Sequence, residues 1–288
     1  MKPAAFEYAV PTTVAEAVAL LASRNGEAKP ISGGQSLMPV LNFRLAAPTL
    51  LVDLRHLPDL DRIVVEAGGT RLGAKVRWRD IEKSSALAAV TGQPLLCAAI
   101  AHVAHYQIRN RGTVGGSLAH ADPAAEMPGL AVALDARLRI IGAKGERMVE
   151  AGEFFTGPLS TVLEPDELIL EVLLPAWPAA RRWGFEEFAR RRGDFALAGA
   201  AVWFDTDAAG CAQNAHIGII GASDRPRRLP AAEMALNGKA LDAATIAAAV
   251  AAARAALDPM NDIHASADYR RALAGTMVER ALKAALAR

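Results

Sequence analysis

Two glycine-bearing segments carry the most chemistry in this chain. The first is Pro30-Ile31-Ser32-Gly33-Gly34-Gln35-Ser36-Leu37-Met38-Pro39, and the second is Arg111-Gly112-Thr113-Val114-Gly115-Gly116-Ser117-Leu118-Ala119-His120. Paired glycines after a short strand let the backbone approach a ligand and take positive φ, so that consecutive N–H groups can converge on an anion. Ser36, Thr113 and Ser117 add hydroxyls beside those amides. Either segment alone reads more readily as a plain tight turn; two of them, each with a hydroxyl nearby, suggest a pyrophosphate. Other nucleotide signatures are missing. No Gly-x-Gly-x-x-Gly follows a strand, Gly68 through Gly73 leads into Ala74-Lys75, and Gly238-Lys239 is followed by Ala240. Neither a Rossmann turn nor a Walker loop is therefore written here.

Metal chemistry has less support. His102 and His105 lie three apart on what reads as one helix face, with no third ligand candidate. Cys97 and Cys211 form no Cys-x-x-Cys pair, and two thiols cannot hold an iron–sulfur cluster that needs four. The run Arg190-Arg191-Arg192 and the group Arg225, Arg227 and Arg228 read as solvated surface.

The elements that must position the glycine segments follow from periodicity. Thr12 or Thr13 caps a helix in which Val14, Ala17, Val18 and Leu21 recur at helical spacing, and Asn25-Gly26 ends it. Strands are predicted at Lys29–Ser32, Leu50–Leu54, Arg62–Glu66, Thr70–Val76, Arg137–Ile141 and Leu168–Leu174. Helices are predicted at Pro94–Tyr106 and at Pro123–Leu134, the latter with Asp122 as cap and Pro123 in its first position. Pro175 and Pro178 then mark a domain boundary. Beyond it, antiparallel strands are expected at Gly184–Arg190, Leu197–Phe204 and His216–Ile220, followed by helices at 231–236, Ala243–Leu257 and Ser266–Ala287.

The 288 residues are 52% hydrophobic and 22% charged, with 32 Lys and Arg against 31 Asp and Glu. Two domains are expected at that length. A formal net charge of +1 gives no electrostatic reason to expect nucleic acid. The opening residues carry Glu7 where a secretory signal needs an apolar core, and the Ala243–Leu257 stretch is interrupted by Arg254 and falls short of a span. The expectation is a cytoplasmic protein without a membrane span.

The segments Ile31–Leu37 and Ile108–Glu126, with Ala189–Leu197 and Asp262–Arg271 beyond the boundary, resemble the FAD-binding medium subunit of the molybdenum hydroxylases, the family of xanthine dehydrogenase and aerobic carbon monoxide dehydrogenase. The resemblance runs in order along nearly the whole chain. It implies an α+β fold: a vanillyl-alcohol-oxidase-type FAD-binding domain over residues 1–176, in subdomains of about 1–56 and 57–176, and a smaller C-terminal α+β domain over 177–288 with a three-stranded antiparallel sheet. It also implies a cofactor site. Pro30, Ile31, Ser32, Gly33, Gly34, Gln35, Ser36 and Leu37 would form one phosphate turn, and Thr113, Gly115, Gly116 and Ser117 the other, with the amides of Ser32–Ser36 and Thr113–Ser117 on the pyrophosphate. Val103 and Ile108 would be apolar neighbours of the cofactor, Leu168 and Ile169 a strand beside it, and Glu126 an acceptor for the ribose hydroxyls.

Plainer roles stand beside these. Asp122 serves as a helix cap or an FAD contact, Glu126 as a first-turn acid or a ribose ligand, and His120 as a flavin-edge contact or a hydrogen-bonded core histidine. Glu186 and Glu187 stand near where the family often has a lysine, and an acid there would disfavour the anionic reduced flavin. By resemblance the chain is an electron-transfer subunit with no substrate chemistry of its own. Molybdopterin is then expected on a large partner and two [2Fe–2S] clusters on a small one, in a heterotrimer or its dimer. The alternatives are a stand-alone FAD oxidoreductase and a flavin-free scaffold.

Overall fold

A computed structural model describes residues 2–288. The first helix, Val14–Ala22, starts where the Thr13 hydroxyl accepts the Glu16 N–H, and it buries Ala17, Val18 and Leu21. It ends at Asn25 and Gly26, both in positive φ. It lies between β1 (Glu7–Ala9) and β2 (Ala28–Ile31), which flank β3 (Leu50–Asp53) in a three-stranded parallel sheet. All four β3 residues are buried, as a central parallel strand requires.

The second sheet is antiparallel, in the order β4-β5-β10-β6-β7, where β4 is Ile63–Glu66, β5 Gly69–Gly73, β6 Arg137–Gly142, β7 Gly145–Glu150 and β10 Leu168–Pro175. A small hairpin of β8 (Phe155–Gly157) and β9 (Ser160–Thr161) precedes β10. Strand β10 is buried on two sides. Leu168 and Leu170 pack into the core of the first subdomain, whereas Ile169, Val172 and Leu174 pack into the main core with Leu95, Leu118, Met127 and Leu130 from the covering helices.

Beyond Trp177 the sheet order is β11 (Arg182–Phe188), β12 (Ala198–Thr206), β13 (Ala212–Ile220) and β14 (Arg227–Arg228), all antiparallel. The expected three-stranded sheet thus has a fourth, two-residue strand. Helices Pro230–Leu236, Ala243–Ala255 and Ala267–Leu286 follow it in the chain and share a core with the sheet. The other face receives the helix Glu126–Ala133. Gly129 makes room for Ile220 there, since a Cβ on it would stand 2.5 Å from that side chain. Trp203 also donates its indole N–H to the Ala133 carbonyl at 2.7 Å.

Two predicted helices need correction. The one expected over Pro94–Tyr106 stops at Ile100, the chain turns through Ala104 at φ 41°, and a four-residue helix, Tyr106–Arg109, follows. His102 and His105 therefore share no helix face. The one expected from Pro123 starts at Glu126, with Ala125 rather than Asp122 at the cap position. The reason is local: the Asp122 carboxylate accepts the Ala124 N–H at 2.9 Å, forming an Asx turn in place of a helix start.

Among the described residues no helix is long and apolar enough to cross a membrane.

Candidate flavin site

The two glycine segments meet although 81 residues separate them. The Thr113 hydroxyl donates to Ser32 Oγ at 3.2 Å. A Cβ on Gly33 would lie 2.1 Å from the Arg111 carbonyl oxygen, so only glycine permits this approach of backbone to backbone. Gly34 takes φ +72°, which swings the chain from β2 into the helix Leu37–Asn42. Along this turn the N–H groups of Ser32, Gly33, Gly34, Gln35 and Ser36 donate to no acceptor among the described residues, and all five residues are only half-buried. Such a row of free amides is a concave anion cradle.

The second segment is built differently from expectation. It is the first turn of the helix Val114–His120, capped by Thr113, whose hydroxyl accepts the Gly116 N–H at 3.2 Å. The Val114 N–H donates to the Val76 carbonyl, Gly115 to Ala74, and Ser117 to the Thr113 carbonyl. The N–H of Thr113 donates to no acceptor among the described residues, whereas those of Val114, Gly115, Gly116 and Ser117 already have acceptors within the protein. The cause is the close approach of the helix to the chain after β5: a Cβ on Gly115 would stand 2.6 Å from the Ala74 side chain. What this segment offers a ligand is its hydroxyls and the exposed face of Gly116.

The other predicted residues lie on elements that adjoin the two segments in the chain or pack against them. Val103 is buried in the turn after Ile100, and Arg109 pins that turn by donating to the Val103 and Ala104 carbonyls at 2.9 and 3.0 Å. The Ile108 carbonyl accepts the Gly112 N–H at 2.7 Å and shapes the entry to the second segment. Helix Val114–His120 packs across β10, where Leu168 and Ile169 are buried. His120 ends that helix half-buried, and Pro30, Ile31 and Leu37 flank the first turn.

Glu126 is 7% exposed. Burial, with a smaller contribution from the Asp122 charge, pushes its carboxyl up to about 7. Glu187 on β11 is raised to about 8, first by burial and then by Glu126 itself, and its Oε2 has no hydrogen-bond partner. An acid at this position was expected to disfavour an anionic reduced flavin; burial raises the Glu187 carboxyl and so weakens that charge. Its pairing with Glu126 was missed, yet a signal existed. In β11 the alternate residues Trp183 and Phe185 face the main core, and Glu187 continues that face.

FAD has a pyrophosphate to place against free amides and a ribose that needs acceptors. The open amide row at Ser32–Ser36, the Gly33 contact that a Cβ would close, and the buried acid Glu126 suit those needs.

Comparison with known proteins agrees. The family described as the FAD binding domain in molybdopterin dehydrogenase matches residues 4–177, and the CO dehydrogenase flavoprotein C-terminal domain matches 183–285. The alpha subunit of the 6-hydroxypseudooxynicotine dehydrogenase complex of Paenarthrobacter nicotinovorans is 42% identical over 100% of this chain and 97% of its own length. Among solved structures, carbon monoxide dehydrogenase from Hydrogenophaga pseudoflava superposes with a TM-score of 0.96 at 39% identity, covering 100% of this chain and 99% of the other. Quinoline 2-oxidoreductase from Pseudomonas putida 86 does so with a TM-score of 0.93 at 41% identity, covering 100% and 99%. This chain, with its mixed α/β FAD-binding domain and antiparallel C-terminal domain, belongs to the FAD-binding medium subunits of the molybdenum hydroxylases.

Proposed function

We propose that this oxidoreductase subunit relays electrons: it receives them from [2Fe–2S] clusters on a small partner, which are reduced in turn by a large molybdopterin subunit, and delivers them to an external acceptor. The observation that supports this most is the cradle of unpartnered amides at Ser32–Ser36, which the backbone of Arg111 and Gly112 approaches at Gly33. Bound there, FAD supplies exchange of one or two electrons, and the protein's part is binding and electrostatics.

Each residue's share follows from its position. The five free amides hold the pyrophosphate without a cation, and Gly34 supplies the positive φ that aligns them. Ser32 and Thr113, joined by their hydroxyls, fix one segment against the other, while Ser36 and Ser117 add donors. Glu126 accepts from the ribose. Val103, Ile108, Leu168 and Ile169 exclude water around the apolar parts of the cofactor. Asp122 is assigned to its Asx turn and His120 to the helix end beside the site. Domains of 1–176 and 177–288, a heterotrimer or its dimer, and a cytoplasmic location complete the proposal.

The test is co-expression of this chain with its partner subunits. A flavin spectrum with about one FAD released per chain, in a complex containing all three polypeptides, supports the reading. Isolated chain that turns over a substrate unaided supports the stand-alone oxidoreductase, and a colourless complex that takes up no added FAD supports the scaffold.

A further inference from the structure

A buried carboxyl, Glu126, and a half-buried one, Glu187, converge where the C-terminal sheet lies against the FAD-binding domain, and among the described residues neither forms an ion pair. Glu126 opens the helix Glu126–Ala133. One turn later Gly129 packs on Ile220, and just before it the Pro123 carbonyl accepts the Gly221 N–H at 2.8 Å, so this stretch is stitched to the end of β13. Gly199 on β12 stands beside Ile220 on one side and Glu187 on the other: a Cβ there would lie 3.3 Å from Ile220 Cβ and 3.5 Å from Glu187 Cγ. Glu187 thus comes to Glu126 across Gly199 and Ile220, two positions without a polar side chain. Neither carboxylate takes part in a salt bridge among the described residues, and the buried Glu187 Oε2 has no donor.

The groups on the surrounding elements do not neutralise the pair. Asp122 precedes the Glu126 helix and adds negative charge, and Glu186 is the next residue along β11. Cys97 and His102 come from the segment packed under Phe185, His120 from the helix Val114–His120, and Glu153 from the helix Ala151–Phe154. At the opposite end of the Glu126 helix, Arg228 and His216 engage Asp135 instead. The basic run at Arg190–Arg192 makes no ion pair with either acid. Two like charges drawn together without a counter-ion repel, and one proton retained between them removes the repulsion while supplying the missing donor.

We propose that Glu126 and Glu187 hold one proton between them, carboxyl against carboxylate, and that Glu187 is thereby a positioning residue through which the C-terminal domain sets the charge of Glu126 at the FAD ribose. This rests on the ribose role of Glu126 proposed above. With the proton on Glu187, its hydroxyl donates to Glu126, and Glu126 is left as the carboxylate that ribose hydroxyls prefer as acceptor. Below the range in which the pair holds one proton, Glu126 is protonated as well and the site loses an acceptor.

Two readouts on the full chain test this, each from about pH 5 to about pH 9. The first is the infrared absorption of protonated carboxyl groups, and the second is FAD affinity followed by flavin fluorescence. In the wild type a protonated-carboxyl band persists at neutral pH, and FAD affinity falls on acidification. In Glu187→Gln the carboxyl step and the fall in affinity both move toward acid by at least about one pH unit, and in Glu187→Lys further, because a cation replaces a like charge. Glu126→Gln binds FAD more weakly at every pH and shows no acid limb. A wild type with no neutral-pH band, or a Glu187→Gln chain whose step stays in place, overturns the shared proton. A step that moves while Glu126→Gln binds FAD like the wild type overturns the ribose role and the positioning with it.

Discussion

Replacing Gly33 with alanine puts one methyl group into the place where the two phosphate segments touch. The new Cβ would stand 2.1 Å from the Arg111 oxygen, 2.8 Å from its carbonyl carbon and 3.0 Å from Gly112 Cα, all of them backbone atoms with no rotamer to change. To reach ordinary van der Waals contact the segments must part by about 1 Å, and overpacking of this kind costs ~1–3 kcal/mol. Parting also stretches the 3.2 Å hydroxyl contact between Thr113 and Ser32. If the whole of that cost falls on the cofactor-binding form, FAD affinity drops by about five- to a hundredfold. The assay is flavin fluorescence on serial dilution of the purified chain, with Gly152→Ala as control, because a Cβ at Gly152 meets nothing within 4 Å. An alanine at position 33 that leaves FAD affinity within about twofold of the control refutes the idea that this contact closes the cradle.

Four further outcomes are expected. Thr113→Val removes the helix cap to Gly116 and the contact to Ser32 together, and it lowers thermal stability by ~1–2 kcal/mol in calorimetry, with a parallel loss of FAD affinity. Trp203→Phe leaves the buried Ala133 carbonyl without its donor and puts a smaller ring where the indole fills the core, destabilising the chain by ~1–3 kcal/mol in urea unfolding. Because burial raises Glu126 to about 7 and Glu187 to about 8, the folded chain binds more protons than the unfolded one from the ordinary carboxylate range up to those values. That contribution is present at low pH and is lost as pH rises through the window, so Glu187→Gln gains stability relative to the wild type from about pH 5 to about pH 8; a constant difference in melting temperature contradicts it. His216 behaves in the opposite sense: burial, then Arg228 and Arg181, push its imidazole down to about 3. Its contribution is present above the ordinary histidine range and is lost as pH falls through the interval, and His216→Gln unfolds with a shallower dependence on acid.

Much of this arrangement was legible because local signals and burial agreed. Thr13, Glu16 and the Ala17-Val18-Leu21 spacing specify a helix that no tertiary contact contradicts. The same holds for β10, whose apolar run serves two cores at once. The start of the Glu126 helix was misplaced because Asp-Pro is compatible with both a cap and an Asx turn; the Asp122 carboxylate takes the Ala124 N–H, and the turn's Pro123 carbonyl also accepts the Gly221 N–H from nearly a hundred residues away. The segment Thr113–Ser117 was read as an open turn because glycines disguise a helix start. The Val114 and Gly115 amides are claimed by Val76 and Ala74, and no pattern within the segment announces that. Ser32 meeting Thr113 is likewise a fact of topology. The Glu126 and Glu187 pair lies between: each residue's face is readable from its own element, but their meeting depends on how the helix docks on the sheet.

That docking makes the two family-defined halves hard to separate. Phe185, Ala196, Ala201, Trp203 and Ile220 lie beyond the proline boundary, yet they sit in the same continuous interior as Leu95, Met127 and Val172. A cut through Trp177 would therefore expose apolar surface on both products instead of releasing two finished modules. In evolutionary terms the boundary at Pro175–Pro178 is a joint in the chain but not in the core. A C-terminal domain borrowed from a relative arrives with its own partner for the Glu126 helix, and only exchanges that carry matched surfaces across Trp203, Ile220 and Gly129 yield a chain that folds as one.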